Sequence, residues 1–122
     1  DLIGLSYYPW WHGSLADLAA NLAATAETFG KDIMVVETAY PWRSDETRHG
    51  SVWPQTPAGQ KAFLADVVRT VRATPDGRGQ GVLWWYPESI PVDGLRVWMG
   101  GRNALFDARG QALPALDVFR DR

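Results

Sequence analysis

Three short apolar runs constrain this chain more than any other feature. They occupy residues 2–5, 33–36 and 81–85, and each is nearly continuous and followed by proline-containing sequence. A strand that is apolar at almost every position, rather than at every second one, is covered on both faces. Such strands belong to parallel sheets. Between the first two runs, residues 14–29 read as a helix, with Leu15, Leu18, Leu22 and Phe29 near one face. Ser14 and Asp17 have the spacing of a capping box, with Asp as a shorter substitute for Glu, and Gly30 supplies the stop. A second helix starts at Thr56-Pro57, a cap followed by proline at the first helical position. Its buried face is Phe63, Leu64, Val67, Val68 and Val71, and Thr74-Pro75-Asp76-Gly77 ends it with turn chemistry. A short helix is expected at residues 114–119.

The order is strand, helix, strand, helix, strand, then a long loop and a terminal helix. That alternation defines βα units in a parallel sheet. Three strands do not close a barrel, and as an open sheet they leave an unpaired edge and bare apolar faces. The chain also opens inside a strand, at Asp1-Leu2-Ile3, without an initiator methionine. Together these features read as one partial domain, residues 1–122, of a longer protein. Spacing alone does not separate a barrel segment from a small doubly wound sheet.

Composition removes several classes. The net charge is −2 with both signs interspersed, so no basic surface offers itself to nucleic acid or an anionic membrane. No apolar run has the length of a membrane span. Without cysteine there are neither disulfides nor thiolate metal sites. No Gly-x-Gly-x-x-Gly follows a strand and no P-loop is present. What stands out is seven tryptophans and four tyrosines in 122 residues. Part of that load is core. The remainder fits a flat ligand with an apolar face and polar edges, as sugars have.

These aromatics collect after the strands. Tyr7, Tyr8, Trp10, Trp11 and His12 follow the first run, Glu37, Tyr40 and Trp42 the second, and Trp84, Trp85, Tyr86 and Glu88 the third. In α/β folds the carboxyl ends of strands carry the site. Glu37 is the sharpest signal, a carboxylate closing a buried strand beside aromatic rings. Glycoside hydrolysis needs two carboxylates across the scissile bond, roughly 5 Å apart for retention of configuration. Taken by itself, a strand-end glutamate is equally a partner for Arg43 or a loop cap, and the residues alone slightly favour that plainer role. His12 has no partner at metal-ligand spacing, so a hydrogen-bonding role suits it. His49 is expected at the surface.

A resemblance shifts the balance. Gly4-Leu5-Ser6-Tyr7-Tyr8-Pro9-Trp10-Trp11-His12-Gly13 and Val35-Val36-Glu37-Thr38-Ala39-Tyr40-Pro41-Trp42 resemble segments of the endo-β-1,4-galactanases of glycoside hydrolase family 53. Thr56-Pro57-Ala58-Gly59-Gln60, Gly81-Val82-Leu83-Trp84-Trp85, Asn103-Ala104-Leu105-Phe106-Asp107 and Gln111-Ala112-Leu113-Pro114-Ala115-Leu116 follow in the family's order. The resemblance covers nearly the whole chain. It implies the C-terminal part of a (β/α)₈ TIM barrel, strands six to eight with their helices. It also implies a secreted, cell-surface or periplasmic bacterial enzyme that cleaves β-1,4-galactan, a pectic side chain, with no cofactor.

Through that resemblance Glu37 is the catalytic nucleophile at the end of strand seven. The acid/base glutamate of strand four has no counterpart in these residues, so this chain alone is expected to be inactive. A tyrosine after strand six is expected to hydrogen-bond the nucleophile. Alternation turns one of Tyr7 and Tyr8 toward the mouth and the other away; Tyr8 is preferred, and packing under the loop is as good a role for either. Trp85 matches a sugar-stacking tryptophan and Trp98 a second one on the following loop, while Trp84 is expected in the core. His12 and Trp42 complete the expected substrate contacts, and of Trp10, Trp11, Trp42 and Trp53 at least one is expected on the sugar.

Two departures matter. The family has Trp-Glu-Pro after strand eight, whereas this chain has Trp85-Tyr86-Pro87. The loops at 43–55 and 90–102 are short, and they lack the clustered Asp and Asn ligands of the calcium site that some relatives carry, so no metal is expected. Two other readings are a non-catalytic carbohydrate-binding α/β domain, and an unrelated α/β domain whose aromatics are all core.

Overall fold

The computed structural model describes residues 1–44 and 52–120. Strand β1 is Leu2–Tyr7, a one-turn helix α1 is Pro9–His12, and α2 is Leu15–Phe29. Strand β2 is Asp32–Thr38, α3 is Pro57–Arg72, and β3 is Gly79–Trp84. A short 3₁₀ turn at Pro75–Gly77 lies between α3 and β3, and two more follow β3 at Trp98–Gly101 and Pro114–Phe119. The sheet order is β1-β2-β3, and both pairings are parallel. All three apolar runs are therefore strands of one parallel sheet, although β3 ends at Trp84 and leaves Trp85 beyond it.

The chain divides into two compact units. The first comprises residues 1–38 and 66–84, the second residues 39–65 and 85–122, so α3 runs through both. In the first unit, Ile33 and Val35 of β2 are fully buried with Leu18, Leu22 and Ala26 of α2 and Val67 and Val71 of α3. Each of these leucine, isoleucine and valine side chains contributes about 1.5–3 kcal/mol by leaving water. Helix α2 starts as its sequence dictates. The Ser14 side chain accepts from the Asp17 N–H, and the Asp17 carboxylate accepts from the Ser14 N–H at 2.7 Å. Gly30 closes the helix at φ 58°, left-handed backbone suited to glycine. Phe29, expected on the buried face, is 61% exposed. It lies in the last turn, and Ala26 takes the inward position instead.

The other face of the sheet is largely bare. Leu2, Val36 and Leu83 are exposed, and Val36 lies against Gly4, where a Cβ would stand only 3.0 Å from its methyls. The outer edges of β1 and β3 pair with no strand among the described residues.

The second unit is built on Tyr40, Trp53, Phe63, Leu64, Ala104, Leu105 and Ala115. The Tyr40 ring stacks on Phe63 at 4.7 Å, and its hydroxyl donates to the Trp53 carbonyl. Gln60 is fully buried here, and its amide donates to the Tyr40 and Ala104 carbonyls, each at 2.9 Å. Helix α3 starts as expected, the Thr56 hydroxyl accepting the Gly59 N–H.

Candidate active site

Simple alternation along β2 would place Glu37 in the buried row with Ile33 and Val35. It does not lie there, because β2 carries one extra residue. Leu5 pairs with Val35 but Ser6 pairs with Glu37. On the other side Val82 pairs with Val35 and Trp84 with Thr38, so both neighbours meet the same bulge. Thr38 now continues the buried row, fully enclosed, with its hydroxyl donating to the Tyr7 carbonyl at 2.7 Å. Glu37 is released from the core and is half-buried. Bulges of this kind re-aim side chains beside functional sites.

The Tyr8 hydroxyl donates to Glu37 Oε1 at 2.8 Å. Burial, and after it the hydrogen bond to the Glu37 carboxylate, pushes the Tyr8 phenol well above the usual tyrosine range. The phenol therefore remains a donor to the carboxylate at any ordinary pH. Tyr7 does something else. It is buried, and its hydroxyl donates to the Gly13 carbonyl at 3.1 Å. Burial, with the negative charge of Asp17, pushes its phenol up to about 12. Expected among the substrate contacts, Tyr7 is instead enclosed framework: the alternation of β1 turns it away from Glu37.

Residues 9–12, expected as loop, form α1, with Tyr8 as its N-cap and Pro9 at the first helical position. Tyr8, Trp10, Trp11 and His12 make a cluster of tilted and edge-on rings, with Tyr8 and Trp11 centroids 5.0 Å apart. Trp11 is 64% exposed, the most exposed tryptophan ring of the described residues. His12 is exposed, and its Nδ1 accepts the Tyr8 backbone N–H at 2.9 Å.

In the second unit, Trp42 is half-buried and locked. Its indole N–H donates to the Gly101 carbonyl and its backbone N–H to the Arg102 carbonyl. The Arg43 guanidinium lies 5.3 Å from the Trp42 ring centre and donates to the Gly100 carbonyl. Arg43 thus occupies one face of the ring, a cation–π contact that its sequence position did not announce. Trp98 is half-buried at the head of a turn in which Met99 and Gly100 are left-handed. Trp85 and Tyr86 are exposed, with ring centres 5.0 Å apart edge to face. Tyr86, where the resembling family has glutamate, sits at φ 58°, a conformation that strains a non-glycine residue. Trp53, a candidate for sugar contact, is core, packed on Tyr40 and Phe63. Trp84 is buried as expected. His49 lies outside the described residues. Among those described, no group of three His, Cys, Asp or Glu could hold a metal ion, and no helix is long and apolar enough to cross a membrane.

Parallel βα units with a tyrosine-held carboxylate at a strand's carboxyl end define a class of protein with its chemistry at the C-terminal rim of a parallel sheet. The comparisons narrow that class. Residues 1–119 match the model of glycosyl hydrolase family 53, and the chain belongs to that family. It is 31% identical to an endo-β-1,4-galactanase of Bacillus subtilis, over 98% of this chain and 38% of the relative. It is 34% identical to an arabinogalactan endo-β-1,4-galactanase of Cellvibrio japonicus, over 98% of this chain and 36% of the relative. The family 53 catalytic domain of Ignisphaera aggregans superposes with a TM-score of 0.85 at 30% identity, covering 98% of this chain and 38% of that one. The chain thus spans well under half the length of the relatives it matches. Its fold is that of a TIM-barrel segment: three parallel strands with their helices.

Proposed function

We propose that this chain contributes the nucleophile, Glu37, to a retaining endo-β-1,4-galactanase. The observation that carries the reading is the Tyr8–Glu37 hydrogen bond at the strand end, in a chain whose named relatives are galactanases. A carboxylate attacking an anomeric carbon must be ionised and aimed. The bulge frees Glu37 from the core, and the Tyr8 phenol grips one of its oxygens, which orients the other. Attack by Glu37 expels the leaving sugar and forms a glycosyl ester, and a partner carboxylic acid gives its proton to the departing oxygen. That partner then draws a proton from water, which attacks the same carbon and releases Glu37. No step needs a cofactor.

Trp85 and Trp98 would offer faces to sugar rings, where apolar CH surface stacks and water leaves. Trp42, with one face taken by Arg43, would contact sugar by its other face or its edge. The substrate is a polymer too large to enter a cell, so the site of action is outside the cytoplasm.

The test uses the complete protein that carries this chain and soluble β-1,4-galactan, with the first-formed product anomer read by proton NMR. The β-anomer is expected first. Glu37→Gln should reduce turnover by at least 10³-fold while galacto-oligosaccharide binding persists. An α-anomer first, or undiminished turnover in the variant, removes the reading.

A further inference from the structure

We propose that His12 is a positioning residue: its imidazole clamps the backbone of Tyr8 and so sets the phenol that grips Glu37. The proposal rests on the reading of Glu37 as nucleophile and deepens it. Helix α1 has only four residues and no side-chain cap at its start, too short to hold its own shape in water. Something else must fix Tyr8, its N-cap. His12 does so from two sides. Its ring Nδ1 accepts the Tyr8 N–H at 2.9 Å, and its backbone N–H donates to the Tyr8 carbonyl at 2.8 Å. The next residue, Gly13, takes the Tyr7 hydroxyl on its carbonyl and turns the chain at φ 84°. Tyr7-Tyr8 and His12-Gly13 thereby close a ring of hydrogen bonds around α1.

The Tyr8 N–H is a donor, so the imidazole meets it with the lone pair of Nδ1. The phenol oxygen lies at the far end of the Tyr8 side chain, so a small backbone tilt at Tyr8 moves it most. A misplacement of ~1 Å in such a site costs on the order of 10²-fold in rate. His12 itself needs no contact with sugar to matter.

Asparagine, glutamine and alanine at this position separate positioning from other roles. An asparagine amide oxygen lies near the place of Nδ1, whereas glutamine carries its amide further out, toward the place of Nε2. In the complete protein, His12→Ala and His12→Gln should lower kcat by about tenfold or more with KM within about twofold. His12→Asn should recover most of the rate. Wild-type kcat in His12→Ala, an asparagine variant no better than the glutamine one, or a rise in KM at constant kcat would each overturn the proposal. If His12→Ala does not fold, the Asn–Gln comparison decides alone. A second readout is independent of turnover. Absorbance titration of the phenols should show the late-ionising Tyr8 moving to lower pH in His12→Gln and staying late in His12→Asn; identical titrations in the two overturn the proposal. If Glu37→Gln keeps full activity, the nucleophile reading falls, and the titration still judges His12.

Discussion

The phenol of Tyr8 and the carboxylate of Glu37, 29 residues apart in sequence, meet at 2.8 Å. Two adjacent parallel strands bring them together, and a bulge in one of them turns the glutamate out of the core. Removing the phenol oxygen tests what that contact contributes. A hydrogen bond to a charged group is worth about 1.5–3 kcal/mol. Tyr8→Phe in the complete protein should therefore lower kcat by roughly 10- to 100-fold with the fold intact. An unchanged rate would mean that the contact is ornamental.

Tyr7 and Tyr8 also predict an alkaline signature. Both phenols are held above the ordinary tyrosine value of 10 in the folded state, Tyr7 at about 12. The unfolded chain loses these protons first, so between about pH 10 and 12 it binds fewer protons than the folded chain. Stability is then fully present below pH 10 and falls as pH rises through that window. Absorbance at the phenolate band should show Tyr7 and Tyr8 ionising late. Chemical denaturation midpoints should drop over the same range.

Gln60 gives a prediction about stability alone. It is fully buried and its amide satisfies two carbonyls, those of Tyr40 and Ala104. Gln60→Leu fills similar volume but takes both of these hydrogen bonds away. The expected loss is about 3 kcal/mol, seen as a lower urea midpoint at an unchanged slope.

Two glycines separate crowding from backbone strain. A Cβ at Gly79 would lie 1.7 Å from the Val71 carbonyl oxygen. At Gly30 it would meet nothing within 4 Å, but φ is +58°. Gly30→Ala should cost about 1 kcal/mol. Gly79→Ala should cost about 3 kcal/mol, because backbone must shift to admit the methyl. Thermal melts of the two variants in one buffer give the comparison, and equal losses would contradict it.

Much of the fold is legible in order along the chain, because its signals are local. Continuous apolar runs mark the strands of a parallel sheet. Ser14-x-x-Asp17, Gly30, Thr56-Pro57 and Thr74-Pro75-Asp76-Gly77 bound the helices through hydrogen bonds that reach no more than four residues. Glu37 is visible as a carboxylate at a strand end for the same reason. Where local periodicity meets a helix end it fails, as at Phe29, whose place Ala26 takes. The aromatic residues were less readable. A tryptophan in a loop looks the same whether it is core, like Trp53, or exposed, like Trp11, because its partners lie far along the chain.

The amino-acid order by itself determined three parallel strands, the helices between them, and a glutamate at the end of the second strand. Tertiary structure decided the rest. The bulge at Val36 and Glu37 is a register between strands, which exists only once β1 and β3 flank β2. It alone settles that Thr38 is buried while Glu37 emerges to meet Tyr8. The same holds for Trp42 and Arg43, which donate to the carbonyls of Gly101 and Gly100, 59 and 57 residues further along the chain. A contact between residues distant in the chain is set by packing geometry, and no pattern of neighbours records it.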